Sequence, residues 1–335
     1  MNVDRPDALA LQLMRVDSTS GQEAAVVTLM ASLLQERAWQ VQRIPVTEGR
    51  DALLASSGEG IDVTLSTHLD TVPPYIAPSL DGDVLRGRGS CDAKGIAASM
   101  ICAAHRLRER GVRVALLFVV GEETTHDGAH AANARATTSR VIINGEPTEN
   151  TLAVGTKGAM RIIVRARGTA AHSAYPHLGR SATAILVERL AAIPQLVLPS
   201  DPVLGDTTVN IGTISGGVAD NVVAPWAEAR LMARLVSDED QVFELFRAWA
   251  GDAVTIEKGV SIPAVRLGVV PGFATSVAAY ATDIPALSRW GTPYLYGPGS
   301  IHVAHTMDEY VRVADLERAV VDYEQLALAA LQLHS

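Results

Sequence analysis

The chain has 335 residues, 48% of them apolar, enough for a substantial core and by length for two domains. Its 28 Lys and Arg stand against 37 Asp and Glu, a net charge of −9 with no basic stripe, which argues against a nucleic-acid partner. No stretch reaches the roughly 20 uninterrupted apolar residues of a membrane span, the acidic start "MNVDRPDALALQL" is unlike a signal peptide, and Cys91 and Cys102 make neither a disulfide framework nor a CxxC pattern, so a cytoplasmic protein with free thiols is expected.

Helical periodicity covers residues 6–15 and 21–37, the second opened by "STSGQE", with Ser20 as candidate N-cap and Glu23 three residues on. A buried strand at 61–67 runs into His68. The glycine-rich "RGRGSCDAKG" leads into a helix at 94–110, and "VRVALLFVVGEE" reads as a central parallel strand buried on both faces. A helix near 127–137 and the strand "RVIING" at 140–145 continue the alternation. Strand and helix alternating in this way predict an α/β fold with a doubly wound, mostly parallel sheet.

After Gly158 the rhythm changes. "AMRIIVRARG" is a strand, "RSATAILVERLAAI" a helix, "TTVNIGTIS" and "NVVAPWAEARLMARLV" two strands, "SDEDQVFELFRAWAG" a helix capped by Ser237 or Asp238, and "AVTIEKG" a strand. That order, β-α-β-β-α-β, is the ferredoxin-like unit. From about 266 the first style resumes and closes on a helix at 314–333. The predicted organisation is an α/β domain of two segments, 1–157 and 266–335, interrupted by a ferredoxin-like insert at 158–265.

Polar residues recur where the α/β elements end. His68 and Asp70 lie in "LSTHLDTVPP", Asp92 in "GSCDAKG", Glu122 and Glu123 in "VVGEET", Glu146 in "NGEPT" and His305 in "GPGSIHVAHTMDE". Ligands of open α/β sheets gather outside the carboxyl ends of the strands. Two histidines and three carboxylates suit two divalent ions with one carboxylate shared. The charges leave such a site near +1, which favours activation of water at neutral pH. Of the adjacent glutamates, one can bind metal while the other takes the proton from that water. "GRGSCD" has Asp92 where the dinucleotide fingerprint needs glycine, and "GTISGG" is not a nucleophile elbow. His105, His126, His130, His177, His302 and His334 lack a comparable context, and Cys91 is read as packing.

In order along the chain, "SGQE", "THLDTVP", "GRGSCDAKG", "GEE", "GEPT", "GTKG", "GTAAHSAYP", "NIGTISGG", "DNVVAP" and "GPGSIHVAHTMDE" resemble the aminoacylase, acetylornithine deacetylase and succinyl-diaminopimelate desuccinylase family of dizinc hydrolases, which also holds carboxypeptidases and di- and tripeptidases. The resemblance implies His68 and Glu146 as ligands of one metal, Asp92 as the bridge, and Glu123 and His305 as ligands of the other. It implies Asp70 as the partner that orients His68 and Glu122 as the general base, with a peptide bond after Asp92 that is often cis. His172 in the insert resembles the histidine that stabilises the oxyanion in the partner subunit's site, which implies a homodimer through the insert. Asn221 and Arg234 match positions that hold a substrate carboxylate. The metals expected are zinc, with cobalt or manganese as alternatives. The expected activity is hydrolysis of an N-acyl amino acid, supported by Glu146, because relatives with aspartate there tend to be aminopeptidases or dipeptidases. The alternative is a carboxypeptidase or dipeptidase acting on short peptides with the same site.

Overall fold

The structure, a computed structural model, describes residues 5–135 and 137–334. They fall into two compact units. One runs to Val154 and takes in Leu267–Ser276 and the chain from Thr282 on; the other comprises Gly155–Arg266 and Val277–Ala281.

The first unit is built on a six-stranded sheet in the order Gln40–Thr47, Arg50–Ser56, Val114–Val119, Val63–His68, Val141–Asn144, Thr292–Leu295. The last four strands run parallel, and the first two form an antiparallel hairpin on the edge. That hairpin was not foreseen. Its outer strand is mostly exposed and its turn passes through Gly49 at φ +74°, so neither a buried run nor a helical period marked it. Both central strands, Val63–His68 and Val114–Val119, are buried at every position. This explains the unbroken apolar run of the second, while in the first the hydroxyls of Thr64 and Thr67 donate to Ser139 Oγ and the Gly145 carbonyl at 2.9 Å each.

Helix Lys94–Glu109 is buried along most of its length and packs against Pro6–Met14 and the closing helix Val313–Leu333. Its small residues, Gly95, Ala97, Ala98, Ala103 and Ala104, allow that close approach on several sides. The helix expected from residue 21 begins later, at Ala24, with Glu23 in the cap position and no side-chain cap. Ser20 Oγ instead donates to Asp70 Oδ2 at 2.8 Å, and the Glu23 carboxylate is taken by Arg50 at 2.9 Å. Both capping groups are drawn off by stronger partners. The helix expected to 137 ends at Asn133, and residue 136 of that span lies outside the described residues.

In the second unit four strands order as Thr208–Gly216, Trp226–Leu235, Gly158–Arg167, Thr255–Ile262, all neighbours antiparallel. With helices Ala182–Ala191 and Glu239–Ala250 this is the ferredoxin-like arrangement. Its core includes Ile162, Val164, Leu186, Leu231 and Phe246. Asp238 is the cap of the second helix, accepting the N–H groups of Asp240 and Gln241 at 3.0 Å each.

Candidate active site

The parallel strands of the first unit deliver His68, Glu122, Glu123 and Glu146 at their carboxyl ends, and Asp92 arrives on the loop before helix Lys94–Glu109. His68 Nε2 lies 2.9 Å from Asp92 Oδ1, and His305 Nε2 lies 3.3 Å from Asp92 Oδ2 and 3.0 Å from Glu123 Oε1. The two oxygens of Asp92 therefore face different imidazoles. His68, Asp92 and Glu123 each offer a ligand atom within 4.8 Å of one another, the one group of metal-ligating side chains of this kind among the described residues. Glu146 is 5% exposed, and its Oε1 has no hydrogen-bond partner. The peptide bond between Asp92 and Ala93 is cis.

These donors fit a cation. His68 Nδ1 lies 2.9 Å from the carbonyl oxygen of Asp70, an acceptor, so Nδ1 carries a proton, and whenever the ring is neutral Nε2 presents its lone pair to the carboxylate of Asp92. Acceptor facing acceptor at 2.9 Å needs a positive charge between or on them, and the orphaned oxygen of Glu146 adds a further acceptor without a donor.

Asp70 does more than the sequence suggested, and differently. The contact that orients His68 comes from its backbone carbonyl; its carboxylate stands 3.6 Å from Nδ1, beyond hydrogen-bond reach. The carboxylate instead accepts the N–H of Glu122 on Oδ1 at 3.1 Å and that of Glu123 on Oδ2 at 3.2 Å. It thus ties the end of strand Val63–His68 to the loop that follows Val114–Val119. Gly121 makes the loop possible: its φ is +74°, and a Cβ there would collide with Asp127 Oδ1 and the Arg50 guanidinium. Glu123 turns to His305, while the partly buried Glu122 carboxylate makes no hydrogen bond or ion pair with the described residues.

Two residues absent from the sequence reading support this arrangement. Glu309 and Arg88, 1% and 2% exposed, form an ion pair at 2.5 Å. Glu309 Oε1 also accepts the N–H groups of Gly89, Cys91 and Asp92 at 2.9, 3.2 and 3.3 Å, so one carboxylate holds the loop that presents Asp92. Arg88 reaches on to the carbonyl of Thr306, next to His305. The acid was visible in "HTMDE", but nothing in the sequence linked it to a loop more than 200 residues away. His126, set aside above, also has a partner: its Nδ1 lies 2.8 Å from Asp283 Oδ1.

Charge density sets the proton affinities. Burial and the carboxylates of Glu146, Asp283 and Glu123 push the Glu122 carboxyl well above its ordinary range, against the pull of His68. Burial, with Asp92, Asp283 and Glu123, does the same to Glu146. Burial opposes the protonation of His68, but Asp70, Asp92 and Glu122 outweigh it and hold its imidazole well above the usual value. Contacts with Asp92 and Glu123 raise His305 to about 10, partly offset by burial. Asp92 is held below the ordinary carboxylate range by His305 and His68, which overcome its burial.

The remaining predicted residues lie in the second unit. His172 and Asn221 sit on adjacent loops: residues 172 and 222 form an antiparallel bridge, and Ser173 N–H donates to the Asn221 carbonyl at 2.9 Å. The guanidinium of Arg234, half-buried on strand Trp226–Leu235, makes no hydrogen bond or ion pair with the described residues, and burial lowers its proton affinity. The structure brings the seven residues of the first unit together as one cluster and pairs His172 with Asn221 locally.

An open α/β sheet whose rim carries two imidazoles and several buried acids is the architecture of a metal-dependent hydrolase. The profile described as Peptidase family M20/M25/M40 matches residues 64–329, and the chain belongs to that family, whose members act on amide and peptide bonds. A probable carboxypeptidase of Paracoccidioides brasiliensis (strain Pb18) is 36% identical over 375 aligned positions, covering 96% of this chain and 84% of that relative. Among solved structures, a tripeptidase of Staphylococcus aureus superposes with TM-score 0.82 at 20% identity, covering 99% of each chain. A dinuclear metal-binding M20 peptidase of Bacillus subtilis superposes with TM-score 0.68 at 16% identity, covering 98% of each chain. No helix among the described residues is long and apolar enough to cross a membrane.

Proposed function

We propose that the chain hydrolyses the amide bond of an N-acyl amino acid, with Glu122 as general base, in a site that takes two divalent ions. His68 and Glu146 would hold one, Glu123 and His305 the other, and Asp92 both. When bound, the ions supply Lewis acidity and activate water near neutral pH; imidazole and carboxylate donors suit zinc, and also cobalt or manganese. Glu122, whose carboxylate makes no hydrogen bond or ion pair with the described residues and whose proton affinity is raised by burial and by the acids around it, receives the proton of the attacking water and delivers it to the leaving nitrogen. Asp70 sets where Glu122 stands. The assignments of His172 to the oxyanion and of Asn221 to the substrate carboxylate rest on the family pattern. His172 has a feature that suits its role: Nδ1 accepts the N–H of Ala174 at 3.1 Å, which leaves Nε2–H of the neutral ring as a donor.

Arg234 carries the substrate class. A half-buried guanidinium with no acid or hydrogen-bond partner among the described residues is matched to a carboxylate that arrives with the substrate. An N-acyl amino acid and the last residue of a peptide both bring one. The second reading is therefore a peptidase, favoured by the relative named a probable carboxypeptidase and the structural neighbour named a tripeptidase.

The test is amine release by protein loaded with zinc, cobalt or manganese from N-acetyl and N-succinyl amino acids, dipeptides, and the C-terminal amides of each. Acids should exceed their amides by about 10- to 100-fold, the worth of hydrogen bonds to a charged group, and acyl amino acids should exceed dipeptides. Faster dipeptides would transfer the assignment to the peptidase. Acids and amides cleaved alike would remove the carboxylate from recognition, and no turnover with any metal would end the catalytic reading.

We also propose a homodimer through the second unit. Strand Thr208–Gly216 is an edge strand of nine residues, exposed along nearly its whole length, with Ile211 and Ile214 among its exposed side chains. Such an edge invites a second strand. Sedimentation of the purified chain as a monomer at micromolar concentration would rule this out. Cys91 and Cys102, both buried and neither in a disulfide, suit the reducing cytoplasm.

A further inference from the structure

Loop 121–126 carries Glu122 and Glu123 and winds round one carbonyl. Gly121 O accepts the N–H groups of Thr124, Thr125 and His126 at 3.3, 3.0 and 2.8 Å. Asp70 fixes the start of the loop through the N–H groups of both glutamates. At its end His126 stands in the left-handed region, φ +55° and ψ 20°, directly before helix Asp127–Asn133. A non-glycine residue holds that conformation only when its surroundings impose it.

The His126 side chain is held by Asp283. This carboxylate is 1% exposed and accepts from His126 Nδ1 at 2.8 Å. It lies at the entry to the short helix Ile284–Leu287, which packs on Asp127–Asn133. The far end of that pairing is secured separately, because Asn133 Oδ1 accepts the N–H of Arg289 at 2.9 Å and its Nδ2 donates to Ser288 Oγ at 3.2 Å. The His126 contact is thus distinct from the bonds that join the far ends of the two helices, and it meets the end of the glutamate loop. The charge of Asp283 is also felt at Glu122 and at Glu146, which places it near the cluster.

We propose that His126 and Asp283 are a positioning pair for the reaction, the clamp opposite Asp70 that keeps the Glu122 and Glu123 carboxylates in place. This rests on the proposed role of Glu122. Neither residue touches the reacting atoms; both act through the loop.

The test compares H126G, H126N, D283A and the double variant H126G/D283A, each loaded with cobalt(II) as a visible probe. Glycine keeps the left-handed conformation without strain and removes only the side-chain contact, whereas asparagine keeps both. H126G and D283A should each lower kcat by about 10- to 100-fold, with KM little changed, and the double variant should be no worse than the weaker single, because both remove one interaction. H126N should stay near wild type. At equal cobalt content, the visible bands should shift in H126G and D283A and keep the wild-type form in H126N. Wild-type kcat and spectrum in H126G, additive losses in the double variant, or equal losses in H126N and H126G would each overturn the proposal. If D283A fails to fold, the comparison of H126G with H126N decides alone. If the wild type cleaves no amide, the functional reading fails, and the cobalt spectra still judge the pair.

Discussion

The N–H of Glu122 donates to Asp70 Oδ1 at 3.1 Å, so the residue proposed as base is positioned by an acid two residues beyond a proposed metal ligand on another strand. The other oxygen of Asp70 takes the N–H of Glu123 at 3.2 Å. Asp70→Asn leaves one acceptor and turns an NH2 group toward one of the two N–H groups. Activity should fall by about 10- to 100-fold, and stability by about 1–3 kcal/mol for the unsatisfied buried donor. Steady-state kinetics and urea unfolding measure both. A D70N variant with native activity would show that the loop holds its place without the Asp70 carboxylate.

Glu122→Gln removes the proton acceptor and keeps the shape. General-base catalysis contributes about 10²- to 10⁴-fold, so the rate should drop by that factor while zinc per chain, measured by atomic absorption, stays the same. Glu123→Gln should instead lower the zinc content, since Glu123 is the glutamate that faces His305 at 3.0 Å. Zinc lost from the first variant and kept by the second would exchange the two roles.

Which of these relationships could be read from sequence depends on their range. The buried strands, the insert and the rim of acids and imidazoles were legible because apolar periodicity and strand ends are local signals. Glu122 and Glu123 declared themselves as a pair, but only the fold separates them, turning one carboxylate to His305 and leaving the other without a hydrogen bond or ion pair among the described residues. The Asp70 carboxylate was assigned to His68, its neighbour in sequence, whereas the structure directs it to the N–H groups of Glu122 and Glu123. Ser20 and Glu23 followed a local capping pattern and were captured by Asp70 and Arg50 instead. Glu309 was hidden for the same reason: its bonds to Gly89, Cys91 and Asp92 span some 220 residues. Local spacing carries no information about such a contact.

That Glu309 contact makes a sharp stability prediction. Glu309→Gln keeps an oxygen for the loop N–H groups but leaves Arg88, 2% exposed, without its counter-charge. Breaking one side of a buried pair costs about 3–5 kcal/mol. Replacing both residues with methionine removes the stranded charge, so R88M/E309M should unfold at a higher urea concentration than E309Q, although the N–H groups of the Asp92 loop then lose their acceptor. A double variant less stable than the single would mean that Glu309 matters for the loop alone and not for the charge.

The cluster also fixes how stability should respond to pH when a chelator has removed metal. His305 in the folded chain is raised to about 10 by Asp92 and Glu123, from an ordinary value near 6.5, and His68 is raised as well. A group whose folded pKa lies above its unfolded value contributes its full stabilisation below the unfolded pKa and loses it as pH climbs through the folded one. The raised carboxyls of Glu122 and Glu146 have the same sign, beginning near their ordinary value of 4.5. Asp92, which is lowered, works the other way, but its change falls in acid, outside this window. Chelated protein should therefore lose thermal stability steadily from about pH 6.5 to pH 10. A divalent ion replaces those protons, and its apparent affinity rises with pH as its ligands deprotonate, so zinc should flatten the profile over the same range. Calorimetry at pH 6, 8 and 10, with chelator and with zinc, measures both curves. A Tm of the chelated protein that holds constant or rises across that window would contradict the packing of imidazoles against acids on which the proposed metal site depends.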